Sequence, residues 1–362
     1  MDLMVMDLMV MGWDAAWAEA FAVHAGRGLG AARVVNEDKH AYIIVGEAGE
    51  QPASIAGKLH HTKRSNADLP KVGDWVVIKP QTGEAKAVIH AVLPRRTRVV
   101  RQSTGRASES QLVAANVDIV FIVQALDQTF NCRRLERFLV MVHEGGARPV
   151  VVLNKCDLED AVRARTIAAV AAAGDCPVVV TSARTGKGLG ELRALLVPRQ
   201  TVCFLGTSGV GKSSLVNRLY GEKVQGTVPV REDDSKGRHT TSRREILPLP
   251  NGTLVVDTPG MREFHLWLAD TGLEDSFPEL AEIASGCRFR DCTHGAEPGC
   301  AVKQAVDTGK LPKDRYDSYR KLQAELDATT QRQREHDYAQ NRHRARAGTK
   351  VYLKAGRDPT GD

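Results

Sequence analysis

The chain has 362 residues, 42% hydrophobic and 26% charged, with a formal net charge of +6. That length accommodates two or three domains with packed cores, and with no run of about 18 apolar residues a transmembrane helix is excluded. The basic excess admits a polyanionic partner without requiring one.

In chain order, residues 1–31 form an N-terminal extension. Met-Asp-Leu-Met-Val occurs twice before Met11-Gly12-Trp13-Asp14. Asp where a secretory leader carries Lys or Arg argues against a signal peptide. The first eleven residues are expected to be disordered, and residues 12–30 to be a short amphipathic lead-in. The seven cysteines (132, 156, 176, 203, 287, 292 and 300) are odd in number and unevenly spaced. Such a set fits a reducing cytoplasm better than a disulfide framework.

From residue 32 to 101 the text becomes short strands, predicted at Ala32–Val35, Ala41–Val45, Ala53–Leu59, Asp74–Ile78 and Ala85–Val92. Five strands in so short a span, separated by Gly, Asn, Asp and Pro, predict an all-β OB-like barrel. Lys58, His60, His61, Lys63 and Arg64 gather in one loop, and Arg95, Arg96, Arg98 and Arg101 close the module. These cations suit either an RNA-binding face or a solvated loop and basic linker.

Residues 102–111 are polar and predict a linker. Apolar strands then alternate with helical patterns: Val117–Val123, 132–145, Pro149–Leu153, 159–173, Pro177–Val180, 189–197, Thr201–Leu205, 212–220 and Thr253–Val256. Near-continuous apolar strands between helices specify a parallel α/β sheet covered on both faces.

The strand Thr201–Leu205 runs into Gly206-Thr207-Ser208-Gly209-Val210-Gly211-Lys212-Ser213-Ser214. This is G-x-x-x-x-G-K-[ST] between a strand and a helix, the context a phosphate-binding loop requires. Glycines let backbone N–H groups face a polyphosphate, and the helix N-terminus adds its positive pole. Lys212 is expected at the β- and γ-phosphates and Ser213 on Mg²⁺.

Three further strands end in polar signals. Asn154-Lys155-Cys156-Asp157 follows Val150–Leu153. Asp157 can accept both N1–H and N2–H of guanine, a donor pair adenine lacks. Lys155 would lay its stem over the purine, and Asn154 would tie loops together. Thr181-Ser182-Ala183 offers backbone amides to the base oxygen. Asp257-Thr258-Pro259-Gly260 places Asp257 as a water-mediated Mg²⁺ ligand and the Gly260 amide as a γ-phosphate sensor. Gly237-Arg238-His239-Thr240-Thr241, in the aperiodic stretch 221–244, reads as a mobile switch supplying Thr241, or alternatively Thr240, to Mg²⁺.

Ordinary GTPases run phosphate loop, switch Thr, DxxG, NKxD, then SA. Here NKxD and TSA precede the phosphate loop, so the cycle is intact but circularly permuted. The segment after DTPG, Met261-Arg262-Glu263-Phe264, therefore leads out into a C-terminal module. That module carries Cys287, Cys292, His294 and Cys300, four ligands that can close a tetrahedral structural Zn²⁺ site. Arg288, Arg290 and Lys303 surround it. Residues 313–348 read as a mostly polar helix suited to RNA phosphates or to packing on the knuckle.

Together these motifs resemble the RsgA family (YjeQ or YloQ), bacterial circularly permuted GTPases. The resemblance extends from about residue 32 through the Cys/His knuckle. It implies a P-loop GTPase domain at 102–275, a zinc knuckle plus helix at 276–348 and a tail at 349–362. It further implies a late assembly factor of the 30S ribosomal subunit that binds GTP and GDP, contacts 16S rRNA, is stimulated by the subunit and leaves after hydrolysis. No membrane partner is implied, and a monomer is expected. Where many GTPases carry a water-orienting Gln, Met261 stands here, so intrinsic turnover should be slow and His239 becomes the catalytic candidate. Gly209 replaces the Asn of some potassium-activated GTPases. The alternatives are another permuted ribosome-associated GTPase, or an RNA-binding protein using GTP only as a conformational switch.

Overall fold

A computed structural model describes residues 8–331 except 27, 39–40, 58, 60–65, 82–85, 103–109, 159–161, 222–243, 258–272, 274–275, 296 and 329, together with residue 335. It begins with a turn and α1 (Ala15–Ala22), capped by Asp14, whose carboxylate accepts from Trp17 N at 3.0 Å. The expected disorder does not extend through residue 11. Met11 is 1% exposed and packs in the main core with Trp17 and Trp75, because the chain here covers apolar surface at the foot of the barrel.

The barrel comprises β1 (Gly30–Asp38), β2 (Ala41–Gly46), β3 (Gly49–Ile55), β4 (Trp75–Pro80) and β5 (Ala87–Val92). The strand pairs are β1–β2, β2–β3, β3–β5, β5–β4 and β4–β1, which closes the sheet with β3 and β5 parallel. Side chains alternate, so Ala32, Val34, Tyr42, Ile44, Val76, Ile78 and Ile89 fill the interior. The third strand begins earlier than its apolar run suggests, since pairing with β2 rather than hydrophobicity sets its start.

β6 (Arg98–Gln102) and β7 (Ser110–Ala115) form an antiparallel pair that straddles the predicted linker and the boundary drawn at residue 101. Arg98 N donates to Gly145 O at 2.8 Å, and Val99 and Val113 join the core beneath it.

The α/β unit contains β8 (Ile119–Ala125), α2 (Cys132–Glu144), β9 (Arg148–Asn154), α3 (Val162–Ala173), β10 (Val178–Val180), α4 (Leu189–Ala194), β11 (Thr201–Leu205), α5 (Lys212–Tyr220), β12 (Arg244–Pro248) and β13 (Leu254–Asp257). The order β10-β9-β8-β11-β13 is parallel throughout, and β12 adds antiparallel at its edge. Alternate strand residues face opposite layers. Val120, Ile122, Val151, Leu153, Cys203 and Leu205 meet α2 and α3. Phe121, Val123, Val150, Val152, Val202 and Phe204 meet α4 and α5.

β12 has no counterpart among the predicted elements, and it joins the two sheets. Asn36 and Glu37 of β1 pair with Glu245 and Arg244, so barrel and α/β sheet are continuous. Arg33 fastens the same junction. It is 2% exposed, donates to Thr201 Oγ1 (2.7 Å), Gly73 O and Asn116 O (both 3.3 Å) and Met11 O, and lies over Trp75. Burial brings its pKa down to about 10, leaving it protonated.

The C-terminal module has α6 (Pro278–Ala284), α7 (Ala301–Asp307) and α8 (313–328). Phe277, Leu280, Val302, Leu311, Leu322 and Leu326 form its core, which also takes in Val140 of α2. Arg315 of α8 is clamped by Glu136 (3.0 Å) and Glu279 (2.6 Å), donates to Ser276 O and covers Phe277. Among the described residues, no helix is long and apolar enough to cross a membrane.

Candidate guanine-nucleotide site and metal centre

The phosphate-loop residues follow β11 directly and end in the first turn of α5, whose Ser213 and Ser214 are exposed. Two glycines are dictated by contact. A Cβ on Gly206 would lie 2.4 Å from Val123 O, and one on Gly211 would lie 2.2 Å from Asn154 Nδ2, with φ +94° besides. Lys212 Nζ donates to Gly206 O and Thr207 O at 2.7 and 2.8 Å, bracing the loop from within.

Asn154 ends β9 and is 2% exposed. Its Nδ2 donates to Val210 O at 2.9 Å, and its Oδ1 accepts from Ala183 N at 3.0 Å and Thr181 Oγ1 at 3.4 Å. One side chain thus spans the phosphate loop and the loop after β10. Cys156 N donates to Thr181 O at 3.0 Å, a second tie between the same segments.

Asp157 turns both carboxylate oxygens toward the 182–184 loop. Oδ1 accepts from Ser182 Oγ at 2.5 Å and Oδ2 pairs with Arg184 Nε at 2.8 Å. The Ser182 hydrogen bond, with help from Arg184, holds its pKa below the usual carboxylate range. It is therefore ionised at neutral pH, as an acceptor of two N–H groups must be.

Lys155 has φ +64° and reaches Asp127 Oδ2 at 2.9 Å. Asp127 is a site residue that the motifs do not contain. Burial favours its neutral form, but hydrogen bonds from Lys155 and Thr129 prevail and hold it at about 2. A lone Asp two residues past the end of β8 carries no pattern that would single it out.

The backbone amides of the 181–185 loop are mostly committed. Thr181 N donates to Leu153 O, Ser182 N to Lys187 O, Ala183 N to Asn154 Oδ1 and Thr185 N to Ser182 Oγ. Asp257 is the last residue of β13, alongside the β11 end. His239, Thr240, Thr241 and Gly260 lie outside the described residues, as do Lys58, His60, His61, Lys63 and Arg64.

In the C-terminal module the ligand atoms of Cys287, Cys292, His294 and Cys300 lie within 4.8 Å of one another. His294 Nδ1 stands 3.6 Å from both Cys287 Sγ and Cys300 Sγ. A tetrahedral zinc with three thiolates and one imidazole has edges of about 3.5–3.8 Å, so the donor set fits. His294 adopts φ +59°, and Tyr316 Oη donates to its carbonyl at 2.6 Å. Arg288, Phe289 and Arg290 project outward from this knuckle.

Residues 92–267 match the family model RsgA GTPase. The "Small ribosomal subunit biogenesis GTPase RsgA" of Opitutus terrae is 46% identical over 329 residues, covering 88% of this chain and 90% of that protein. The protein of the same name from Syntrophotalea carbinolica is 43% identical over 349 residues, covering 94% and 95%. Among solved structures, YjeQ from Thermotoga maritima superposes with a TM-score of 0.63 at 30% identity, covering 82% of this chain and 98% of that one. YloQ, described as a circularly permuted GTPase, gives a TM-score of 0.59 at 28% identity, covering 84% and 97%. This chain combines a closed five-stranded barrel, a parallel α/β sheet whose NKxD strand precedes the phosphate-loop strand, and a helical module with a Cys/His cluster, and by these matches along most of its length it belongs to the RsgA GTPase family.

Proposed function

We propose that the chain is a GTP-hydrolysing late assembly factor of the 30S subunit, activated by the subunit and released after hydrolysis. The observation that carries the nucleotide reading is Asn154, which joins the phosphate loop to the 183 loop while Asp157 presents an ionised carboxylate beside it. The ribosomal part rests on the relatives, which are named as small ribosomal subunit biogenesis GTPases.

In this reading Gly206 to Ser214 cradle the phosphates, Lys212 and Gly260 meet the γ-phosphate, and Asp157 accepts the guanine N–H pair. Lys155 covers the base, held by Asp127. Ser213, Thr241 and Asp257 would hold Mg²⁺, which supplies charge neutralisation on the transferring phosphoryl group. His239 is assigned to position the attacking water. Cys287, Cys292, His294 and Cys300 hold one structural Zn²⁺. We assign 32–101 to the barrel, 102–275 to the GTPase unit and 276–348 to the zinc module, with 16S rRNA as partner of the flanking modules, a monomeric state and a cytoplasmic location.

The test is steady-state GTP hydrolysis alone, with 30S and with 50S. Stimulation by 30S alone supports the reading, and His239→Ala should then abolish the stimulated rate while leaving GDP affinity in place. GTP binding without any 30S effect would leave the guanine site standing and remove the ribosomal assignment.

A further inference from the structure

The loop after β10 has little sheet to hold it. β10 is three residues long and lies at the edge of the sheet, yet this loop must stand at a fixed distance from Asp157. Asn154 fixes the Ala183 amide from one side. A second side chain, in no motif, fixes the next peptide from the other. Arg218, on the last turn of α5, donates from Nε to Ala183 O at 2.8 Å and from an Nη to Arg184 O at 2.8 Å. Arg193 of α4 in turn donates to Arg218 O at 2.8 Å, tying the end of α5 to the helix that follows this loop.

The Ala183 carbonyl and the Arg184 N–H belong to one planar trans peptide, so they point in opposite directions. A guanidinium that grips the carbonyl therefore sets the direction of the N–H. From Thr181 to Thr185 that amide alone lacks a protein acceptor among the described residues, while its four neighbours are all engaged. Arg184 also pairs with Asp157, the carboxylate assigned to the guanine N1–H and N2–H.

We propose that Arg218 is a positioning residue for base recognition: it orients the 183–184 peptide so that the Arg184 N–H donates to the guanine O6. The proposal rests on the guanine reading of Asp157. It makes the phosphate-loop helix a support for the base-binding loop as well as for the phosphates, with α5 reaching one by its N-terminus and the other by its C-terminus. The planar guanidinium presents its two N–H bonds in a fixed fork, so it sets the direction of both carbonyls more rigidly than the rotating ammonium of a lysine would.

The test uses the full-length protein and equilibrium binding of GDP, 6-thio-GDP, IDP and ADP to wild type, Arg218→Ala and Arg218→Lys. Arg218 is solvent-exposed, and circular dichroism checks that each variant folds. 6-Thio-GDP keeps both N–H donors and replaces only the O6 acceptor by a weaker one. Arg218→Ala should weaken GDP about tenfold, the worth of one well-placed hydrogen bond. The wild-type preference for GDP over 6-thio-GDP should collapse toward unity, while the preference over IDP, which reports Asp157, should persist. Arg218→Lys should recover part of the loss.

Equal weakening of GDP and 6-thio-GDP, with their ratio unchanged, would overturn the proposal and leave Arg218 as a structural brace. Unaltered binding by Arg218→Ala would overturn it as well. A wild type that does not prefer GDP over ADP would instead remove the guanine reading on which the proposal stands.

Discussion

Asn154→Ala tests the centre of the nucleotide site. The side chain is 2% exposed and links Val210 O (2.9 Å) to Ala183 N (3.0 Å). Truncation leaves a buried carbonyl and a buried amide without partners. At about 1–3 kcal/mol for each orphaned group, and with two groups sharing one small cavity, the expected loss is about 2–4 kcal/mol. For a unit of this size that corresponds to a fall in melting temperature of about 5–10 °C. Nucleotide affinity should drop about 10–100-fold, because binding must then also fix two loops that no longer hold each other. Calorimetry and fluorescent GDP titration measure the two effects. Gly211→Ala supplies a cycle, since its new Cβ would lie 2.2 Å from Asn154 Nδ2. In the double variant that clash disappears while the strain of φ +94° remains, so the penalties should fall short of additivity by about 1–2 kcal/mol. Unchanged stability in Asn154→Ala, or strictly additive penalties in the cycle, would refute the reasoning.

Arg315→Met should cost about 3–5 kcal/mol, because the Glu136 carboxyl, 5% exposed, would be left buried without its cationic partner. Replacing Glu136 by Met as well should recover much of this, and limited proteolysis of the C-terminal module reads the difference. Removing metal with a chelator, or making Cys292→Ser, should release one zinc per chain by mass spectrometry and loosen the module around Tyr316 and Tyr319. GDP binding should survive; loss of GDP binding together with the metal would contradict separate roles. Asp127 is held at about 2 against an ordinary 3.8. A depressed carboxylate stabilises the fold above its unfolded pKa, and that contribution disappears as pH falls through the folded one. Acid unfolding between pH 4 and 2 should therefore be shallower in Asp127→Asn, with parallel curves for both proteins as the contrary result.

The sequence by itself determined the strands of the parallel sheet, the phosphate loop, the NKxD and TSA turns and the four-ligand knuckle. In each case the deciding information is local. Apolar runs mark strands buried on both faces, glycines mark backbone that must approach another chain segment, and Cys/His spacing marks a closed donor set. The barrel was legible for the same reason, from alternation and turn residues. Local text misled where a segment's role is set by something distant. The polar stretch at 102–111 reads as a linker, yet its ends pair as β6 and β7 over α2. Met11 sits in a repetitive lead yet is buried, because the foot of the barrel offers apolar surface to cover.

Only the tertiary structure decided that β12 joins β1, that Arg33 is locked between barrel and α/β unit, and that Asp127 and Arg218 serve the nucleotide loops. Arg33 meets Thr201 across 168 residues, Arg218 meets Ala183 across 35, and Lys155 meets Asp127 across 28. A hydrogen bond depends on where two groups lie in space, and no periodicity along the chain encodes pairs so widely separated. These contacts exist because chain folding brings the strand ends and helix termini to one rim, where polar groups removed from water require partners.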